Sequence, residues 1–415
     1  MTHRRDLSLR ALAGRHILFL STLVSSCLSF VLGLLLAVHL GAHDYGVYAA
    51  ALALTAYVSI AADGGWLAAA ARHLTRPLSQ VDRRAGVTAA WLLMIGAAIS
   101  CSGLTVLVAL IAGRWMPEET SHLLLVVSPL AGATIAPYFY EQLLKSSGRT
   151  GLLAAVTMTS RGLSLVGVLV VVAVGGGPTA ALIVTLVATL VAGALALLGE
   201  PLGLSGLRAT RSAVRREHRT FGRQLYIGRT FNLLAFRADV VLLTMSFPPA
   251  SVAQYVLATS MLSPVAMFGQ ASASTRFRAM RDAAPDTSWA RRLALVAVVL
   301  ALLACGVGAL SVWWPLGRAY EPLLPLLPLV AVAAVLQAAY QPANSWLLAN
   351  GEGPRLRRLL LVAGTVNLLA NLALVPWLGG MGGALGSITG NASYLWLARR
   401  ACRAGASERL SAASG

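Results

Sequence analysis

Long apolar runs alternate with short polar breaks along the whole of this chain. A helix needs about 20 apolar residues to cross the hydrocarbon of a bilayer. Twelve runs approach or exceed that length, at residues 17–40, 47–71, 87–112, 122–144, 152–174, 178–198, 224–246, 252–273, 293–314, 322–349, 359–378 and 382–398. The run at 322–349 opens with Pro322, Pro325 and Pro328, which predicts a bent outer segment ahead of the helix. The pattern predicts an all-α polytopic membrane protein of about 12 transmembrane helices, six in each half. The breaks at Gly41–Gly46, Gly175–Pro178, Ser246–Ser251 and Gly379–Met381 are too short for an outer domain.

The longest polar connection falls halfway along the chain. It divides the sequence into an amino-terminal lobe at 1–198, a basic linker at 199–223, a carboxy-terminal lobe at 224–400 and a tail at 401–415. Tyr48 and Tyr255 occupy matching places before the second helix of each half. Both halves begin on the same side of the membrane, which makes a parallel repeat, one of the plans used by transporters.

Charge orients this pattern. Only 12% of residues are charged and the mean hydropathy is +0.73. The net charge of +18 could suggest a nucleic-acid partner, but it is not concentrated on one domain. It sits in alternate breaks: Arg4, Arg5, Arg10 and Arg15; Arg72, Arg76, Arg83 and Arg84; Lys145 and Arg149; Arg208 to Arg223; Arg276 to Arg292; Arg355 to Arg358; and Arg399 to Arg409. The opposite breaks carry only Arg114 and Arg318. Basic loops face the cytoplasm, so both termini are expected there. Membrane lipids, not nucleic acid, are the anionic partner this distribution implies.

Cys27, Cys101, Cys305 and Cys402 are too far apart for a metal or redox motif. The run at 17–40 is too long for a signal-peptide core and lacks a small-x-small cleavage site. There is no phosphate-binding loop and no clustered carboxylates, so the sequence predicts no enzyme, no cofactor and no metal.

Ionisable groups inside spans are costly and therefore functional candidates. They are Asp63, Arg161, Arg229, Arg237 and Asp239. Glu141 sits four residues before Lys145, a spacing that suits a helix-stabilising pair. Arg161 lies about 15 Å into the fifth helix, farther than snorkelling alone covers. Arg229 and Arg237 fall within about 80° of each other if the seventh helix is continuous. Two readings stay open for the arginines. Each is neutralised within the bundle, or they line a cationic, water-filled cavity suited to a bulky anion, since guanidinium grips phosphate in bidentate fashion. Asp63, beside Gly64 and Gly65, and Asp239 are candidates for ion coupling or charge partnership. Gly382, Gly386 and Gly390 repeat at the spacing of a close helix-packing face.

Several stretches resemble a known family. Leu40-Gly41-Ala42-His43-Asp44-Tyr45-Gly46-Val47-Tyr48 is similar to the first outer loop of oligosaccharide flippases of the multidrug/oligosaccharidyl-lipid/polysaccharide exporter superfamily. Asp63-Gly64-Gly65 with Ala71-Arg72 resembles that family's second-helix ending, with Gly64 replacing the usual leucine. Arg237 to Leu243 with Tyr255, and Asn367, Asn371 and Pro376 with Gly379 to Ala384, resemble later motifs. The resemblance implies two six-helix lobes around a central cavity, working by alternating access in the plasma membrane of a bacterial cell. It implies that a polyprenyl-pyrophosphate-linked oligosaccharide passes from inner to outer leaflet for surface polysaccharide biosynthesis, beside glycan-assembly enzymes. The rivals are a cation-coupled drug exporter of the same superfamily, a membrane glycosyltransferase or polymerase, and a non-transporting scaffold. An exporter of cations would favour acids over arginines within the spans. A glycosyltransferase would need a larger outer loop with carboxylates.

The topology makes a direct prediction. In a cysteine-free background, a cysteine at Gly176 reacts with an impermeant reagent added to intact cells, and one at Arg215 reacts only after the cells are opened.

Overall fold

The computed structural model describes residues 2–76, 78–147, 149–199, 202–276, 280, 287–350 and 352–414. Arg278 and Arg281 lie outside the described residues, as do the side chains of Arg4, Arg5, Arg10, Arg15 and Arg409. Every regular element among the described residues is helical.

Helix α1 (Thr2–Asp63) runs through the expected first outer loop and is broken only at Gly41, whose φ of 75° is in the left-handed region. Then come α2 (Trp66–Leu74), α3 (Gln80–Ala112), α4 (Glu118–Val127) and α5 (Ala136–Ser146), the last two joined by a 3-10 turn over Ser128–Ile135. Helices α6 (Thr150–Ala173), α7 (Pro178–Gly199) and α8 (Leu207–Glu217) follow. After them come α9 (Arg223–Phe236), α10 (Ala238–Ser246) and α11 (Pro249–Thr275). The chain closes with α12 (Thr287–Ser311), α13 (Leu326–Ala349), α14 (Gly353–Leu378) and α15 (Gly380–Ser414).

Eight of the described stretches are each long and apolar enough to cross a membrane. Phe19–Asp63, at 45 residues, is long enough to cross twice about Gly41. With α7, the α9–α10 pair and α15, the chain forms the twelve crossings that the apolar pattern predicts. A 3-10 turn over Arg318–Leu323 precedes α13, where the prolines predict a bend.

Two expectations need correcting. The second span is not one helix to residue 71, because Gly64 and Gly65 both take positive φ and end α1 at Asp63. The seventh span is not continuous, because Arg237, at φ −122° and ψ 9°, separates α9 from α10. The basic linker contains α8.

The chain divides into two compact units, Met1–Ser21 with Asp44–Thr230, and Thr22–His43 with Phe231–Gly415. The boundary differs from one drawn through the linker, because the first span packs with the second half: the Tyr320 hydroxyl donates to the Ala37 carbonyl at 3.1 Å. In the first unit, Trp91 meets Phe139 edge-on at 4.7 Å within a core that includes Leu67, Leu143 and Leu144. In the second, Trp346, Tyr394 and Leu347 centre the core. The outer faces keep large apolar residues exposed, such as Ile99 and Leu110 on α3 and Leu302 and Leu310 on α12. That distribution suits lipid, not water, as the solvent of these faces.

The glycine stripe of α15 packs against α14. A Cβ on Gly386 would strike the Asn371 side chain, and one on Gly390 would come within 2.6 Å of Asn367. Asn367 and Asn371 are fully buried. Asn371 donates to Asn367 at 2.9 Å, and Asn367 donates to the Gly386 carbonyl at 3.0 Å. Small residues thus let two helices close on a polar ladder, the packing mode that works without a hydrophobic drive between helices. Gly386→Val should lower the melting temperature of the detergent-purified protein and reduce its level in the membrane. Gly306→Val, at a position where a Cβ would meet nothing within 4 Å, should do neither.

Candidate functional site

Arg161 stands about 16 Å along α6 from Thr150, half-buried within the first unit. It lies in electrostatic reach of the Tyr48 phenol on α1. Tyr48 in turn meets the Thr185 hydroxyl of α7 at 3.4 Å. Three helices therefore converge on one guanidinium. Among the described residues no carboxylate pairs with it, although a cation at that depth normally has one. Tyr48 and Thr185 offer hydroxyl oxygens and no charge.

The second unit arranges its charges differently. Arg237 sits at the break between α9 and α10 and is exposed. Asp239, two residues later, is 5% exposed. Tyr255 donates its hydroxyl to Asp239 Oδ2, the Val240 N–H donates to Oδ1 at 2.8 Å, and the Ser387 hydroxyl also bonds this carboxylate. Gly383 lets α15 close over the pair, since a Cβ there would stand 3.2 Å from both Asp239 and the Tyr255 ring. Asp239 thus joins α10, α11 and α15. The break at Arg237 removes the continuous helix on which the shared side of Arg229 and Arg237 was reckoned. The side chain of Arg229 lies outside the described residues.

Asp63 has a backbone role. It is 5% exposed, and its Oδ1 accepts the Leu67 N–H at 3.1 Å. It therefore satisfies the start of α2 just beyond the Gly64–Gly65 break. A Cβ on Gly65 would collide with the Gly222 carbonyl, so this break also admits a close backbone crossing. Tyr226 fixes the crossing by donating to the Ala61 carbonyl at 3.0 Å.

The crossing segment carries residues that the sequence reading did not single out. Thr210, Val214 and Glu217 form the buried face of α8. Glu217 pairs with Arg76 and, at 3.6 Å, with Arg72. Arg72 also lies over the Phe221 ring at 4.3 Å, and Trp66 stacks on His218 at 3.8 Å. Burial lowers the pKa of His218 below the ordinary histidine value, with Asp63 and the Gly65 carbonyl acting in the opposite direction. Burial also lowers that of His73, with Arg76 adding to the effect. The available signal was Glu217, the sole acid among the arginines of 201–223. Among the described residues no cluster of His, Cys, Asp or Glu could hold a metal ion.

The profile of the polysaccharide biosynthesis protein family matches residues 11–277, well over half of the sequence. This chain belongs to that family. The fold agrees with it. An inward-facing multidrug resistance MATE family transporter of the MOP superfamily is similar over 96% of this chain and 95% of its own, at TM-score 0.64 and 14% identity. The lipid II flippase MurJ, in an inward closed conformation, is similar over 93% of this chain and 87% of its own, at TM-score 0.67 and 11% identity. A MOP superfamily transporter from Pyrococcus furiosus is similar over 95% of this chain and 96% of its own, at TM-score 0.54 and 12% identity. No curated protein matches in sequence. The family member is thus a multi-pass membrane protein with the fold of the MOP transporters.

The α8 arrangement yields a prediction for the family member. Arg72→Ala/Arg76→Ala strands the buried Glu217 carboxylate, whereas Glu217→Gln leaves two half-exposed arginines in water. The double variant should therefore melt lower than Glu217→Gln, by about 1–3 kcal/mol of extra destabilisation. Thermal unfolding in detergent measures the order.

Proposed function

We propose that this protein carries a polyprenyl-pyrophosphate-linked oligosaccharide from the inner to the outer leaflet of a bacterial plasma membrane by alternating access. The observation that carries the reading is Arg161, deep in α6 and without a carboxylate partner among the described residues. An arginine near mid-bilayer costs roughly 2.5–3.5 kcal/mol even on the lenient insertion scale. Water removes much of that cost, and a pyrophosphate supplies the missing anion through paired, charge-assisted hydrogen bonds. Arg229 and Arg237 are the further cationic groups proposed for substrate binding. Several arginines at different depths also keep binding reversible.

Family membership supports a role in polysaccharide biosynthesis, and the fold is shared with a lipid II flippase. The same fold serves multidrug transporters. The lone arginine favours an anionic cargo over the cationic cargo of a drug exporter. In this reading the glycan-assembly enzymes are neighbours that load and receive the lipid-linked sugar. The basic loops and both termini face the cytoplasm. Asp63 and Asp239 enter coupling only if their present hydrogen bonds are exchanged during the cycle.

Arg161→Ala and Arg237→Ala should abolish flipping of the lipid-linked oligosaccharide in proteoliposomes without lowering protein levels. The lysine variants should keep part of the rate, because the charge survives and the fork is lost. Full activity of Arg237→Ala would sink the proposed site. Asp63→Asn should lower the melting temperature, since it weakens the start of α2. If Asp63→Asn and Asp239→Asn both transport normally under every ion gradient applied, neither carries coupling.

A further inference from the structure

One face of α15 is built in two zones. Ala392, Leu395, Trp396, Arg399 and Arg403 recur at spacings of three and four residues, which brings them to one side of the helix. With Arg400 and with Leu336 of α13 they line a pocket of about 500 Å³. Its floor is apolar and its rim is cationic. From Ala392 to Arg403 the pocket follows α15 for about 16 Å, close to half of the ~30 Å hydrocarbon core. Trp396 is 60% exposed inside it, and the Arg400 guanidinium lies 5.6 Å from the Trp396 ring.

The charges of this pocket are also uncompensated. Elsewhere on the chain Glu217 takes up Arg72 and Arg76, Glu141 takes up Lys145, and Glu352 takes up Arg355. Among the described residues, Arg399, Arg400 and Arg403 have no acidic partner. A pocket one leaflet deep, with three such guanidiniums at its mouth and a tryptophan at the interfacial level, matches a molecule with a phosphate head and an apolar tail.

We propose that this pocket binds an anionic phospholipid of the leaflet facing the basic loops. The phosphate lies among Arg399, Arg400 and Arg403, and an acyl chain runs past Trp396 and Leu395 to Leu336. Basic pockets between transmembrane helices hold anionic headgroups in this way. The site belongs to the second unit alone and does not depend on Arg161 or on the transported cargo.

The probe is phosphatidylglycerol carrying brominated acyl chains, which quenches tryptophan on contact. The full chain is reconstituted in phosphatidylcholine vesicles with a fixed fraction of the brominated lipid. The Trp396 contribution is isolated by difference from Trp396→Phe. Quenching of that contribution should report a preference on the order of tenfold for brominated phosphatidylglycerol over brominated phosphatidylcholine. Arg399→Gln/Arg400→Gln/Arg403→Gln should bring the preference to parity. Leu336→Trp/Trp396→Phe fills the floor and leaves all three arginines. In that variant the probe should no longer protect Arg403 from an arginine-selective reagent, as it does in the unaltered chain. Arg215→Gln/Arg216→Gln, on α8, should change neither readout. Equal quenching by the two lipids in the unaltered chain would overturn the proposal. So would an unchanged preference in the triple arginine variant, or displacement of the probe by polyprenyl phosphate more readily than by phosphatidylglycerol.

Discussion

A backbone polar group inside hydrocarbon has no water to fall back on, and every feature of this fold answers to that constraint. Unbroken helices meet it by themselves. Each break in a span must be met by something else. At Gly64–Gly65 the Asp63 carboxylate accepts the Leu67 N–H and restarts the chain as α2. Tyr226 binds the Ala61 carbonyl in the last turn before the same break. Glycine is required at position 65 for two reasons together, the φ of 82° and the backbone of Gly222 lying where a side chain would begin. The Asp-Gly-Gly stretch is therefore one device. Its acid belongs to the backbone before it belongs to any transported ion.

The same rule extends to polar side chains within the spans. Asn371 donates to Asn367, and Asn367 donates to the Gly386 carbonyl of α15. Asn391 donates to the Ala333 carbonyl at 3.0 Å, which ties α15 to α13. Asp239 is held by Tyr255, Ser387 and the Val240 N–H. These groups act as fastenings between helices. Glycines opposite Asn367, Asn371 and Asp239 allow the helices near enough for those bonds to form. Against that background Arg161 departs from the rule. It is charged, deep and without a counter-ion among the described residues. A group that costs stability and returns none to the fold is where function is to be sought. The rival readings do less with it. A cation exporter gains nothing from an unpaired guanidinium.

The apolar pattern alone determined the number of crossings, because a span must satisfy its own backbone and so must be long, helical and apolar as a continuous stretch of sequence. It also placed the close-packing glycines of the last helix, since a spacing of four residues reads directly as one helical face. The alternation of arginines gives, by the same local reading, the side of the membrane each loop is expected to face. What the tertiary structure decided concerns partners distant in sequence. Glu217 meets Arg76 across 141 positions, and Asp239 meets Tyr255 across a turn and a helix start. Asp63 read as a buried charge, and only the fold revealed it as a cap, because the break that needs the cap is made jointly by Gly64, Gly65 and the segment crossing at Gly222. Arg237 read as one of a pair on a continuous helix, and only the structure placed a break there. Hydropathy sums over neighbours along the chain, whereas ion pairs, caps and crossings form between neighbours in space.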